Sequence, residues 1–234
     1  MLASESVKLE LMSFIKENNY KVGDILPSET CLAEKLGVSR LTLREAINGL
    51  RNTGIVRPVQ GKGTFVTTDI SLIEDSLNQN VSITDMIQAG GYAPGTQYFK
   101  KELVTADKEL SQKLDINEGD TVVVCMRIRT ADDVPVVYSE DYLAPRIVPG
   151  FLAISDENIS LFNFIEEHEK IRRGVSLTEI KPAKADAQLA ELLEIKEGDL
   201  LMEFLVTVRD EEGAPLIWAR EYLKPDTFRF VVHR

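Results

Sequence analysis

The chain has 234 residues, 44% of them hydrophobic and 28% charged, with a mean hydropathy of -0.10; at roughly 100 to 200 residues per domain this predicts two domains with ordinary globular cores. No apolar run approaches the roughly 18 residues of a membrane span, and the N-terminus lacks a basic stretch followed by an apolar block, so the expected location is the cytoplasm. The net charge of -11 disfavours a polyanionic partner for the chain as a whole, yet residues 1–68 hold nine Lys or Arg against seven Asp or Glu, a net of +2 that leaves -13 for the remainder.

In chain order, Val7, Leu11, Phe14 and Ile15 fall on one face of a helix over residues 5–19. Gly23 and Pro27 mark a connector, and Ser28 with Glu29 behind it starts a short helix over 29–36. Gly37 suits the left-handed position that ends it, and Ser39 caps a third helix that Gly54 terminates. Two helices joined by a short turn containing Gly form a helix-turn-helix. Residues 55–66, IVRPVQGKGTFV, read as a hairpin around Gln60 to Gly63. Residues 69–80 are mostly polar without a period, and the interdomain linker is placed there, between a head of 1–68 and a body of 81–234.

The body contains an internal repeat. Residues 106–124, ADKELSQKLDINEGDTVVV, match 185–203, ADAQLAELLEIKEGDLLME, and VPVVYSEDYLAP at 134–145 matches APLIWAREYLKP at 214–225. Each copy predicts a short helix, a Glu-Gly-Asp turn, and two strands joined before Pro135 or Pro215. One pseudo-symmetric antiparallel sheet with helices against it accounts for two copies so far apart, giving an α+β fold. Between them, SLFNFIEEHEKI predicts an amphipathic helix with Leu161, Phe164, Ile165 and His168 near one face.

Cys31 and Cys125 form no CxxC, and neither His168 nor His233 lies in a catalytic or metal-binding motif, so no metal, cofactor or histidine-dependent chemistry is expected. In the third helix Leu43, Ala46, Ile47 and Leu50 face the core, while Arg40, Arg44, Asn48 and Arg51 form a neighbouring stripe. A helix with Ser39, Arg40, Thr42 and Arg44 in its first turns can enter a major groove. Its guanidinium groups reach guanine edges, and its hydroxyls reach phosphates. The hairpin then serves as a wing, with Gly61 and Gly63 allowing close approach to a phosphate and Lys62 adding charge. Gly61-Lys62-Gly63-Thr64 is no phosphate-binding loop of the Walker type, since Gly63 stands where Ser or Thr must follow the Lys.

The repeat also points to a ligand. Val123, Cys125, Arg127 and Arg129 share one strand face, and the second copy puts Met202, Phe204, Val206 and Val208 at the equivalent positions. Where one copy is apolar the other carries two arginines, so an inward-facing Arg127 and Arg129 require an anion. The alternative is that this edge is solvent-exposed and both are surface residues.

The run LPSETCLAEKLGVSRLTLREAINGLRNTGIVRPVQGKGTFV resembles the winged helix-turn-helix of GntR-type bacterial transcription regulators. The resemblance implies that Ser39, Arg40, Thr42 and Arg44 contact the groove and backbone of double-stranded DNA, and that Gly61 to Thr64 form the wing tip. Many members carry Arg where this chain has Thr30. Residues from 81 to about 231 resemble the UTRA effector-binding domain of the HutC-like branch, similar to the chorismate lyase fold. That implies a regulator, most often a repressor, controlled by a sugar phosphate or other small anion; a head of net +2 makes few phosphate contacts, so a homodimer on an inverted-repeat operator is expected. Basic residues matching Arg127 and Arg129 serve the phosphate in some members, and Ser82, Thr84 and Ser160 are further candidates. Where some sugar-phosphate sensors have Glu, this chain has Ser139 followed by Glu140. A chorismate-lyase-like enzyme and a ligand-independent DNA-binding protein remain the alternatives.

Overall fold

Three helices and a hairpin build the first unit of the structure, a computed structural model that describes residues 3–68, 72–76 and 81–231. These are α1 (Ala3–Glu17), α2 (Glu29–Lys35), α3 (Arg40–Asn52), β1 (Val56–Val59) and β2 (Gly63–Val66). The capping predicted from the sequence is present: Ser28 Oγ accepts from the Cys31 N–H at 3.3 Å, and Ser39 Oγ accepts from the Thr42 N–H at 3.1 Å. Val7, Leu11 and Ile15 of α1 bury against Leu43, Ala46, Ile47 and Leu50 of α3, so both apolar stripes meet in one core. Each buried Val, Leu or Ile side chain among them stabilises the fold by about 1.5 to 3 kcal/mol. The hairpin pairs Val56 with Val66 and Val59 with Gly63.

A six-stranded antiparallel sheet organises the second unit, which parts from the first between Ile73 and Glu74, residues 89–91 counting with the first. Its elements are α4 (Ile83–Ala89), β4 (Pro94–Thr105), α5 (Lys108–Leu114), β5 (Thr121–Ala131), β6 (Val134–Leu143), β7 (Arg173–Lys184), α8 (Ala187–Leu193), β8 (Leu200–Asp210) and β9 (Pro215–Leu223). A crossover between β6 and β7 holds a 3-10 turn (Pro145–Ile147), α6 (Val148–Leu152) and α7 (Leu161–Asn163). The strand order β4-β5-β6-β9-β8-β7 lays the first copy of the repeat beside the second in reverse. The register between β6 and β9 pairs Tyr138 with Tyr222, Glu140 with Arg220 and Tyr142 with Trp218, so Glu140 faces its own repeat counterpart on a local two-fold, and Tyr138 and Tyr142 each face the counterpart of the other. The copies match in detail: Asp107 and Asp186 cap α5 and α8, and Asp115 and Glu194 end them in the left-handed conformation at φ 53°.

The sheet has two covered faces. On one, α5 packs on Val122 and Trp218 and α8 on Ile128, Tyr138 and Leu201. On the other, Val123, Cys125, Leu143 and Ile217 pack under the crossover through Phe151, Leu161, Phe164 and Ile165. Lys101 pins that cover, its Nζ donating to the carbonyls of Phe151 at 2.8 Å and Ile154 at 2.5 Å.

One expectation gains a detail and another needs correction. The stretch assigned to a linker contains a strand, β3 (Ile73–Ser76), paired with β10 (Phe228–Val231) at the far end of the chain; residues 69–71 and 77–80 lie outside the described residues. A partner some 150 residues away leaves no local period to read. The amphipathic helix predicted in the crossover is instead one turn of α-helix followed by a π-helical turn, Phe164–His168. Leu161, Phe164 and Ile165 are buried as expected, while His168 is exposed and stacks on Phe164.

Candidate nucleic-acid interface and effector cavity

On α3 the buried stripe leaves Arg40, Arg44, Asn48 and Arg51 exposed, so the basic face predicted from spacing is a solvent face of the first unit. Ser39 and Thr42 are partly occupied with each other, their hydroxyl oxygens 2.8 Å apart at the head of the helix. Arg44 is held by a residue that spacing alone does not single out: its Nε donates to Glu29 Oε2 at 2.6 Å. That contact holds the guanidinium by its Nε, and the two terminal nitrogens are the fork with which an arginine can read a guanine edge. Leu41, 70% exposed, was also missed. Its position outside the stripe of Leu43, Ala46, Ile47 and Leu50 was the available signal, and an exposed apolar residue here can meet a thymine methyl group. At the hairpin tip Gln60, Gly61 and Lys62 are exposed. Gly63 sits at φ 113°, where a side chain is strained, and a Cβ there would come within 3.1 Å of Ile25.

In the second unit a cavity of about 440 Å³ opens on the sheet face beneath the crossover. Ser82, Thr84, Arg127, Arg129 and Ser160, five residues singled out from the sequence, all line it. So do Phe204, Val206 and Val208 of the second copy, which confirms that the compared faces are one face and that it is inward. Arg127 is 6% exposed and Arg129 1% exposed.

The two arginines differ in their company. Arg127 Nη2 lies 3.1 Å from Asp141 Oδ2, and its Nη1 donates to the Ile159 carbonyl at 3.0 Å. Burial, the largest single influence, works against its charge, but the negative groups around it, Asp141 foremost, together outweigh burial and the pKa is raised. Arg129 donates only to hydroxyls, Thr96 Oγ1 at 2.7 Å and Thr84 Oγ1 at 2.9 Å, and among the described residues no carboxylate lies within ion-pair distance. Burial, with Arg127 adding to it, pushes its pKa down to about 10. The Nε atoms of both are buried without a hydrogen-bond partner. A buried cation without a counter-ion costs several kcal/mol, and an anion entering the cavity removes that cost.

Ser82 and Ser160 also do the plainer work of caps. Ser82 Oγ accepts from the Asp85 N–H at 3.1 Å, and Ser160 Oγ accepts from the Asn163 N–H at 3.4 Å. Ser139 and Glu140 do not join the cavity wall. Ser139 is fully buried and donates to Asp141 Oδ2 at 2.9 Å. Glu140 falls on the opposite sheet face, where the hydroxyls of Tyr138 and Tyr142 donate to it at 3.1 and 3.3 Å. Strand alternation dictates this separation, since neighbours in β6 point to opposite faces. The acidic groups that do line the cavity are Asp141, two residues beyond Ser139, and Glu221 of β9.

A winged helix-turn-helix with a basic recognition helix, followed by a unit whose open cavity is lined by two buried arginines, is the build of a ligand-responsive transcription regulator. Residues 3–66 match the model described as bacterial regulatory proteins, gntR family, and residues 89–229 match the UTRA domain; the chain belongs to the GntR family, in its UTRA-bearing form. It is similar to the HTH-type transcriptional repressor NagR of Bacillus subtilis, at 27% identity over 95% of this chain and 90% of the relative. It is also similar to the mannosyl-D-glycerate transport/metabolism system repressor MngR of Escherichia coli, at 27% identity over 93% of this chain and 90% of the relative. The crystal structure of PhnF from Mycobacterium smegmatis superposes with a TM-score of 0.67 at 25% identity, covering 97% of this chain and 98% of that one. These relatives are regulators, and the present chain is a DNA-binding regulator with a ligand-binding domain, not an enzyme. No helix among the described residues is long and apolar enough to cross a membrane.

Proposed function

We propose that this regulator is a homodimeric repressor whose affinity for an inverted-repeat operator is set by a small organic anion held in the cavity of its second unit. Residues 1–68 are then the DNA-binding domain, 69–80 the connection, and 81–234 the effector-binding and dimerisation domain. Ser39, Arg40, Thr42, Arg44 and Arg51 with the wing tip at Gly61 to Thr64 contact the operator. A head of net +2 neutralises few phosphates, so useful affinity calls for two heads on two half-sites. Arg127 and Arg129 receive the acid group of the effector, with Ser82, Thr84 and Ser160 around it.

The observation that carries this reading is Arg129, 1% exposed and paired with hydroxyls alone, at the wall of a cavity large enough for an organic molecule. Thr84, which takes one of its N–H groups, lies on the helix that directly follows residues 69–80 in sequence, and this is the shortest covalent route from effector to head. Thermal shift of the full chain against a panel of anions, with operator affinity measured with and without the responding compound, tests both ends. A stabilising anion that changes operator affinity is expected, and operator must change anion affinity by the same factor. Arg44→Ala is expected to weaken operator binding by about 1 to 3 kcal/mol. No stabilisation by any anion, or anion binding uncoupled from operator binding, would refute the proposal.

A further inference from the structure

We infer that the effector is an extended acid of single negative charge bearing hydroxyl groups at its far end, a glycosylated carboxylic acid rather than a phosphorylated monosaccharide. The inference rests on the cavity being the effector site, as proposed above.

Charge comes first. Four ionisable side chains of opposite sign line the cavity: Arg127 and Arg129 on β5, Asp141 on β6 and Glu221 on β9. Asp141 already holds Arg127, whereas Arg129 donates only to the hydroxyls of Thr96 and Thr84, with Asp141 and Asp156 acting on it from beyond ion-pair distance. One cation, Arg129, is therefore left for an incoming charge. A carboxylate or another monoanion balances it, whereas a phosphate dianion brings a second charge towards two carboxylates.

Extent comes second. The cavity wall runs from β5 through β6, β9 and β8 to β7, four strand spacings or about 19 Å of sheet. Its volume of about 440 Å³ lies in the range that accommodates a drug-sized molecule, so an inorganic anion or a short acid would leave most of it unfilled.

The far wall supplies the third element. Ser176 on β7 lines the cavity, and its Oγ is buried without a hydrogen-bond partner. A β-bulge sits immediately before it, where the β7–β8 register slips between Arg173 and Ser176. Gly174 in that bulge abuts the backbone carbonyl of Asp210, so no side chain fits there, and the bulge re-aims the residue that follows. Beside Ser176, Thr178 adds a hydroxyl, and Ile180, Phe204 and Val206 add an apolar surface. Hydroxyl donors and acceptors alternating with an apolar wall suit a sugar ring, whose rim is polar and whose faces are C–H. Glu221, between the two ends, accepts hydrogen bonds from ligand hydroxyls.

Calorimetric titration of the full chain with inorganic phosphate, glucuronate, glucose 6-phosphate, trehalose 6-phosphate, lactobionate and maltobionate tests this. A disaccharide carboxylate is expected to bind tightest. Ser176→Ala should weaken it about 5- to 10-fold while leaving inorganic phosphate unchanged. Glu221→Gln should shift preference towards the phosphates. Phosphates binding more tightly than every carboxylate, or disaccharide acids indifferent to Ser176→Ala, would overturn the inference and leave the anion-sensing function standing. Silence towards every anion by a folded chain would overturn both.

Discussion

Strands β5 and β8 are the same element made twice, and they differ where function is expected. Both follow a seven-residue helix and a Glu-Gly-Asp turn, both run eleven residues, and both turn the same face to the cavity. In β5 that face ends in Arg127 and Arg129; in β8 the equivalent places hold Val206 and Val208. The backbone therefore tolerates either chemistry, and what separates the copies is whether their surroundings can carry charge. Around β5 stand Asp141, Thr84, Thr96 and the Ile159 carbonyl, which hold the two arginines; Val206 and Val208 of β8 pack with Leu216, Ile217 and Ala219, and the neighbouring strand β7 offers them hydroxyls, Ser176 and Thr178, without a carboxylate at the cavity wall.

Exchanging residues between the copies puts this to the test, and the largest effect is expected from moving charge to the unprepared side. Val208 is 2% exposed and packs in an apolar cluster with Leu216 and Ile217, so Val208→Arg should cost about 3 to 5 kcal/mol in urea unfolding. An equal loss from Val208→Met would show that size, not charge, decides. Arg127→Val should cost about 3 kcal/mol because it strands Asp141, and adding Asp141→Val should recover most of that loss. A double variant no more stable than the single would mean the pair is not coupled.

Arg129→Val makes β5 resemble β8 at the place where charge lacks a counter-ion. It is expected to raise stability by about 1 to 2 kcal/mol while abolishing the response to anions. A less stable variant that still senses anions would contradict the assignment. The smallest effect is expected from pH. Burial lowers the Arg129 pKa to about 10, so folding disfavours its charged form; the cost is present below that pH and relieved above it. An anion needs the charged form, so affinity should stay level to about pH 9 and fall about tenfold per unit above 10. A level profile through pH 11 would exclude Arg129 as the titrating partner.

Much of this comparison was legible before any coordinates. The three helices of the head, their caps and the wing follow from local patterns, and the repeat pointed to an inward face for Arg127 and Arg129, with a solvent-exposed edge as the alternative. Contacts made at a distance in sequence were not legible. Asp141 meets Arg127 across the hairpin, Glu221 arrives from the second copy, Glu29 reaches Arg44 from another helix, and Ser176 depends on a bulge set by Gly174. Glu140 shows a different kind of error. A residue one place from Ser139 looks near to it in sequence, yet in a strand it is as far from that side chain as the sheet is thick.

The register that pairs Glu140 with Arg220 bears on ancestry. Had two identical halves met at that seam, as after the doubling of one ancestral unit, each would have set the same side chain against itself, and like charges directly opposite on neighbouring strands destabilise a sheet. Glutamate facing arginine is open only to halves joined in one chain and free to diverge. The same freedom allows one half to keep an apolar wall while the other holds a buried pair of cations, a division of labour that a symmetric dimer of identical units could not evolve.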